Sequence, residues 1–155
     1  TMSSRLFLTV REKHGLAYFI RSSTSPYQDV GGLTIQAGLA KDKIHKALDL
    51  IVKELIKMRE KPVTKEELTR AKDYIKGKVV LGLEDSSRTA DWFGKQEILT
   101  DHIDTIEEGL ARIVAVTRED VAAVAREILI GKRMTLALIG PYKDGSEFVR
   151  HLKGL

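Results

Sequence analysis

Val10-Arg11-Glu12-Lys13-His14-Gly15-Leu16-Ala17-Tyr18-Phe19-Ile20 is the stretch on which the fold turns. Ser3 or Ser4 is placed to cap a helix ahead of it, and Gly15 is placed to end that helix as the left-handed residue beyond the C-cap. Past Gly15 the pattern changes to alternation. Leu16, Tyr18 and Ile20 fall on one face and Ala17, Phe19 and Arg21 on the other, as in a strand. Helix, glycine stop and strand within a dozen residues predict a chain that reverses and begins a sheet.

Alternation returns at residues 32–39, with Leu33, Ile35, Ala37 and Leu39 on one side. Pro26, Asp29, Gly31 and Gly32 punctuate the gap, so an antiparallel hairpin is expected. Ile44, Ala47, Leu48, Ile51, Val52, Leu55 and Met58 then recur at helical spacing up to Pro62. Thr64 and Glu67 have the spacing of a capping box, with Val63 and Leu68 as its hydrophobic staple. Asp85, Ser86 or Ser87 starts the next helix, through Trp92 and Ile98. Residues 104–114 are helical by pattern. Val116-Thr117-Arg118-Glu119-Asp120-Val121 repeats the earlier start signal with Asp120 in place of Glu. Residues 133–139 read as a buried strand through Met134, Leu136, Leu138 and Ile139, ended by Gly140-Pro141, that rejoins the hairpin. The expected fold is α+β: an antiparallel sheet of the hairpin plus this C-terminal strand, with several helices packed on one face. The 155 residues form a single domain, 1–155.

Lys and Arg number 26 against 22 Asp and Glu, a net charge of +4, but the charges alternate along helical faces. No basic cluster carries interleaved aromatics, which argues against nucleic acid as a partner. No apolar run approaches the roughly 20 residues of a membrane span. With no cysteine, disulfides and thiolate metal sites are excluded. Residues 1–5 lack the layout of a secretory leader. These features favour a soluble, cytoplasmic protein over a secreted one.

His14, His45, His102 and His151 include no pair at i+3 or i+4, the spacing a helical zinc site needs. His45 and Asp49, four apart, read as an exposed polar pair rather than a metal site. His102 reads as a helix-start residue and His151 as solvent-facing. Neither Gly-x-Ser-x-Gly nor a glycine-rich phosphate loop occurs. Arg11 in the last helical turn and Tyr18 in the following strand are both good donors toward a carbonyl oxygen. Spacing alone leaves two roles open. One is a pair that grips a carbonyl. The other is local and on spacing the stronger, with Arg11 complementing the helix C-terminus and Tyr18 an amphipathic strand residue.

Ser4-Arg5-Leu6-Phe7, Val10-Arg11-Glu12-Lys13 and Gly15-Leu16-Ala17-Tyr18 together resemble the C-terminal domain of pitrilysin-type metallopeptidases, the family of mitochondrial processing peptidase and insulin-degrading enzyme. Tyr27-x-Asp29-x-Gly31, Leu33-Thr34-Ile35-Gln36-Ala37-Gly38, Val63-Thr64-x-Glu66-Glu67-Leu68-x-Arg70-Ala71-Lys72, Gly94-x-Gln96 and Leu138-Ile139-Gly140-Pro141 extend the resemblance along nearly the whole chain. The resemblance implies two similar modules facing each other across a chamber. One holds zinc through H-x-x-E-H and a distal Glu, the motif's glutamate activating water. The other offers a substrate-binding Arg/Tyr pair seven residues apart, the separation of Arg11 and Tyr18. No H-x-x-E-H occurs in these residues. The resemblance therefore implies the rear, N-terminally incomplete part of the non-zinc module. No catalytic residue, metal ligand or cofactor is expected in this chain, and zinc is expected in a complementary domain or subunit. The implied partners are a peptide substrate and the metal-bearing module, in one polypeptide or as a homo- or hetero-dimer. A non-catalytic structural or partner subunit of the same fold is the alternative, and a stand-alone helical interaction domain would leave the ordered motifs unexplained.

Overall fold

The computed structural model describes residues 2–153. In chain order the elements are a π-helix, Phe7–Lys13, strands β1, Ala17–Pro26, and β2, Gly31–Leu39, and six α-helices. These are α1, Ile44–Glu60, α2, Lys65–Gly82, α3, Ser86–Leu99, α4, Ile106–Ala115, α5, Arg118–Ile128, and α6, Ser146–Leu152. Single 3₁₀ turns lie at Lys41–Lys43 and Gly131–Arg133. The architecture is α+β, as expected. The chain forms two compact units, one of residues up to 61 and from 124 onward, the other of residues 62–123.

In the first unit the Ser4 hydroxyl accepts from the Phe7 N–H at 3.3 Å, tying down the start of the π-helix. At its far end Gly15 adopts φ +56°. There the Gly15 N–H donates to the Arg11 carbonyl at 2.9 Å, and the Leu16 N–H reaches back to Val10 at 3.0 Å. This is the paired closure of a left-handed cap, one residue wider because the turn it closes is a π-turn. The Lys43 ammonium donates to the freed Gly15 carbonyl at 3.2 Å.

β1 and β2 pair antiparallel, from Ala17 opposite Leu39 to Pro26 opposite Gly31. The register slips once: Ala17 faces Leu39 but Phe19 faces Gly38, leaving Tyr18 as an extra residue. This β-bulge corrects the expected faces. Ala17 and Ile20, three apart, are both buried, whereas Tyr18 is exposed. An unbroken strand of period two would put Tyr18 and Ile20 on the same side.

Against Ala17 and Ile20 pack Phe7, Val10 and Leu16, Ala47, Ile51 and Leu55 of α1, and Ala125 and Leu129 at the end of α5. Ile35, Ala37 and Leu39 of β2 complete this core, while the distal half of the hairpin is exposed. Each fully buried Leu or Ile side chain contributes roughly 1.5–3 kcal/mol. A second cluster seats Phe148 of α6 on Ile44 and Leu48. Leu136, Leu138 and Tyr142 pack on it.

Residues 133–139 are not a strand. Met134, Leu136 and Leu138 turn inward and Thr135, Ala137 and Ile139 outward, so the expected alternation is present. No ladder forms among the described residues, where the sheet consists of β1 and β2 alone. Ile139, expected inside, is fully exposed.

In the second unit the helices begin where capping chemistry places them. Thr64 and Glu67 exchange bonds of 2.8 and 3.1 Å. Asp85 accepts from the Ser87 N–H at 2.9 Å, and Thr117 and Asp120 form the same reciprocal box at 2.8 and 3.1 Å. A third box, Thr105 with Glu108, has the same Thr-x-x-Glu spelling. The Trp92 ring crosses α4 at Gly109, where a Cβ would lie 2.9 Å from its Cζ2.

Candidate functional site

Arg11 and Tyr18 stand on either side of the Gly15 reversal. Arg11 is in the π-helix, and its Cζ lies 4.9 Å from the centroid of the Phe7 ring one turn earlier. Phe7 is buried, so the guanidinium has a fixed floor and an exposed outer side. Tyr18 is 87% exposed on the bulge. Among the described residues neither side chain makes a hydrogen bond or ion pair, with the other or with anything else. Both are therefore free to donate outward, the guanidinium as a planar fork and the phenol as a single O–H. The reversal is held by Gly15, by the Lys43 bond and by the apolar contacts of Leu16 and Ala17.

Residues 1–75 match the family described as the peptidase M16 inactive domain. An uncharacterised zinc protease of Streptomyces coelicolor is 43% identical over 92% of this chain and 31% of its own length. Another from Bacillus subtilis is 36% identical over 91% of this chain and 34% of its own. The chain belongs to the M16, pitrilysin-type peptidase family.

The M16 chain also has solved structural relatives. A conserved protein from Enterococcus faecalis superposes with a TM-score of 0.71 at 31% identity, over 81% of this chain and 29% of that one. A protease from Helicobacter pylori gives 0.72 at 25%, over 82% and 31%. The chain thus spans about a third of the length of these relatives. No helix among the described residues is long and apolar enough to cross a membrane.

Relatives named zinc proteases raise the question of what could hold zinc in this M16 chain. His102, Asp104 and Glu108 bring one ligand atom each within 4.8 Å of one another. Their carboxylates are already engaged by other donors. Both Asp104 oxygens accept from the Arg112 guanidinium, and Glu108 accepts from the Thr105 N–H at 2.8 Å. Hydrogen bonds from Arg112 hold the Asp104 carboxyl below its ordinary 3.8, against the opposing effect of burial. The role of Asp104 is structural. Its carbonyl accepts from Trp92 Nε1 at 3.1 Å and Gln96 Nε2 at 3.3 Å, and its N–H donates to Gln96 Oε1 at 3.0 Å. The Gly94-x-Gln96 pattern thus carries a clamp on the α3–α4 connection.

A second titratable cluster was missed by the sequence reading. His151, expected to face solvent, is buried, at 8% exposure. Its Nδ1 donates to Asp49 at 2.5 Å, since a carboxylate only accepts, and its Nε2 lies 2.9 Å from Nδ1 of His45. The His45 ring stacks on Phe148 at 5.0 Å, and its Nε2 is 3.6 Å from Glu147. Asp49 and His45 are therefore joined through a ring of α6 rather than standing as a bare surface pair. The groups belong together only because α6 returns to α1, a pairing across a hundred residues that no local spacing announces. His14, beside Gly15, is half-buried, and its imidazole has no hydrogen bond among the described residues.

Proposed function

We propose that this chain, as one domain of 155 residues, is the substrate-binding rear part of a zinc endopeptidase module. In this reading Arg11 and Tyr18 hold the peptide near the scissile bond while zinc is held by another domain or subunit. The observation that carries the reading is Tyr18, an aromatic side chain on a bulge, almost wholly exposed, with no hydrogen-bond partner among the described residues. Bulges that re-aim one side chain are enriched beside active sites. A guanidinium seated on Phe7, equally without a hydrogen-bond partner among the described residues, lies across the same reversal. The M16 family and the relatives named zinc proteases support the peptide as the ligand.

The chemistry follows from what the two groups donate. A peptide carbonyl accepts N–H and O–H bonds in the ground state. When its carbon becomes tetrahedral the oxygen gains negative charge, and the same bonds strengthen. Donors fixed in advance therefore favour the transition state over the bound substrate. The alternative, a non-catalytic partner or structural subunit, draws support from the description of the matched domain as inactive. The two exposed, partnerless donors favour the first reading, because a purely structural subunit has no use for them.

In the complete peptidase, Tyr18→Phe and Arg11→Ala should each lower kcat by about 10²–10³, the loss of one transition-state donor. Zinc content and melting temperature should stay at wild-type values. Cleavage at the wild-type rate by both variants would remove the proposed role.

A further inference from the structure

The outward setting of Tyr18 has a visible support on the opposite strand. Phe19, the residue after the bulge, sits directly across from Gly38. A Cβ built on Gly38 would lie 2.6 Å from Cε1 and 2.9 Å from Cδ1 of the Phe19 ring. The ring thus occupies the space that any other residue would fill. On the same face Arg21 lies directly across from Gln36 and donates to its Oε1 at 2.8 Å. The Arg21 guanidinium carbon stands 6.0 Å from the centroid of the Phe19 ring. Gln36 holds Arg21, Arg21 covers Phe19, and Phe19 lies on Gly38.

This stack sits immediately beyond the register slip that makes Tyr18 the extra residue. Ile20 and Ala17 hold the slip from the core side, both being buried. Were the slip lost, Tyr18 would take the face of Ile20, and its phenol would swing from solvent toward the apolar core. We infer that Phe19, seated on Gly38, is a positioning residue that keeps the Tyr18 hydroxyl aimed at the substrate. The inference rests on the role proposed for Tyr18 and assigns neither Phe19 nor Gly38 any contact with the peptide. Gly38 is the position in β2 where an added methyl group would displace the Phe19 ring from its present seat. Gly32, near the other end of the same strand, has nothing within 4 Å of its added Cβ.

The test is a double-mutant cycle in the complete peptidase. Gly38→Ala, Tyr18→Phe and the double variant are assayed on a quenched fluorogenic peptide that the wild type cleaves, with Gly32→Ala as control. Gly38→Ala should lower kcat by about tenfold to a hundredfold, the scale of a misplacement near 1 Å, with little change in KM. In the Tyr18→Phe background the same substitution should change kcat by less than about twofold, because no hydroxyl remains to misplace. Gly32→Ala should match the wild type. Phe19→Leu, which removes the ring and leaves the strand apolar, gives the same readout should Gly38→Ala fail to fold. An undiminished loss in the Tyr18→Phe background, or no loss from either Gly38→Ala or Phe19→Leu, overturns the positioning role while leaving the Tyr18 role standing. Wild-type kcat in Tyr18→Phe alone removes the underlying reading, and this inference falls with it.

Discussion

Two glycines in this chain have equal room around them and should respond to the same substitution with opposite signs. Neither Gly15 nor Gly77 has an atom within 4 Å of an added Cβ. A steric account predicts that alanine is harmless at both. The backbone predicts otherwise. Gly15 holds φ +56°, where an L side chain costs about 1–2 kcal/mol, offset by roughly 0.4–1 kcal/mol from a less flexible unfolded chain. The net loss is about 1 kcal/mol. Gly77 is exposed within α2, where alanine gains about 0.8–1 kcal/mol. With an m-value of about 2 kcal/mol per molar urea, Gly15→Ala should lower the midpoint by ~0.5 M, and Gly77→Ala should raise it by ~0.4 M. Asparagine tolerates the left-handed region, so Gly15→Asn should lose less than half as much as Gly15→Ala. Urea titrations should follow far-UV circular dichroism together with the fluorescence of Trp92, the single tryptophan. Trp92 lies in the same unit as Gly77, and coincidence of the two curves licenses one unfolding free energy. A raised midpoint for Gly15→Ala would refute the left-handed cap, and with it the account of how Arg11 and Tyr18 come to flank one reversal.

Two more expectations concern the titratable clusters. The folded Asp104 carboxyl titrates below its ordinary 3.8, so the unfolded chain takes up the proton first. Its contribution is then complete above about pH 3.8 and is lost as the pH falls through the lowered folded value. The melting-temperature gap between wild type and Asp104→Asn should be constant from pH 7 to 5 and shrink below pH 4; a gap that widens there contradicts the Arg112 pairing. His151→Ala should cost about 1–3 kcal/mol in urea unfolding, because it removes the buried ring that joins α6 to α1. Asp49→Asn, at an exposed partner, should cost less than about 1 kcal/mol, and equal losses would deny His151 that role.

What the sequence disclosed divides by range. The Thr64–Glu67 and Thr117–Asp120 boxes are interactions across three residues, and their spelling contains their geometry. The apolar stripe of α1 was equally plain, since Ile44, Ala47, Leu48, Ile51, Val52 and Leu55 are all buried. Arg11 and Tyr18 are singled out as candidates by the ordered motifs around them, because neither residue type is informative alone. The bulge beneath Tyr18 stayed hidden for a physical reason. An extra residue is defined by the partner strand, and the residue that accommodates it, Gly38, stands nineteen positions from Phe19. His151 failed similarly, because its burial depends on Asp49 and His45, a hundred residues away.

Residues 133–139 show where pattern reading reaches its limit. Alternation reports that one side of an extended chain is dry, and here it reported correctly: Met134, Leu136 and Leu138 are turned inward. Pairing is a different property. It requires a second backbone at hydrogen-bonding distance, and nothing in a residue's hydrophobicity encodes whether one is there. Side chains can settle against a helical core on their own, as Leu136 and Leu138 do against the cluster around Phe148, while the backbone between them joins no ladder. The same distinction governs Tyr18. The period-two pattern gave it a face, but β2 decides the register and hence the side on which the phenol emerges. In this chain the placement of the proposed substrate donor is therefore a property of a strand pair, with Gly38 as much a part of it as the tyrosine itself.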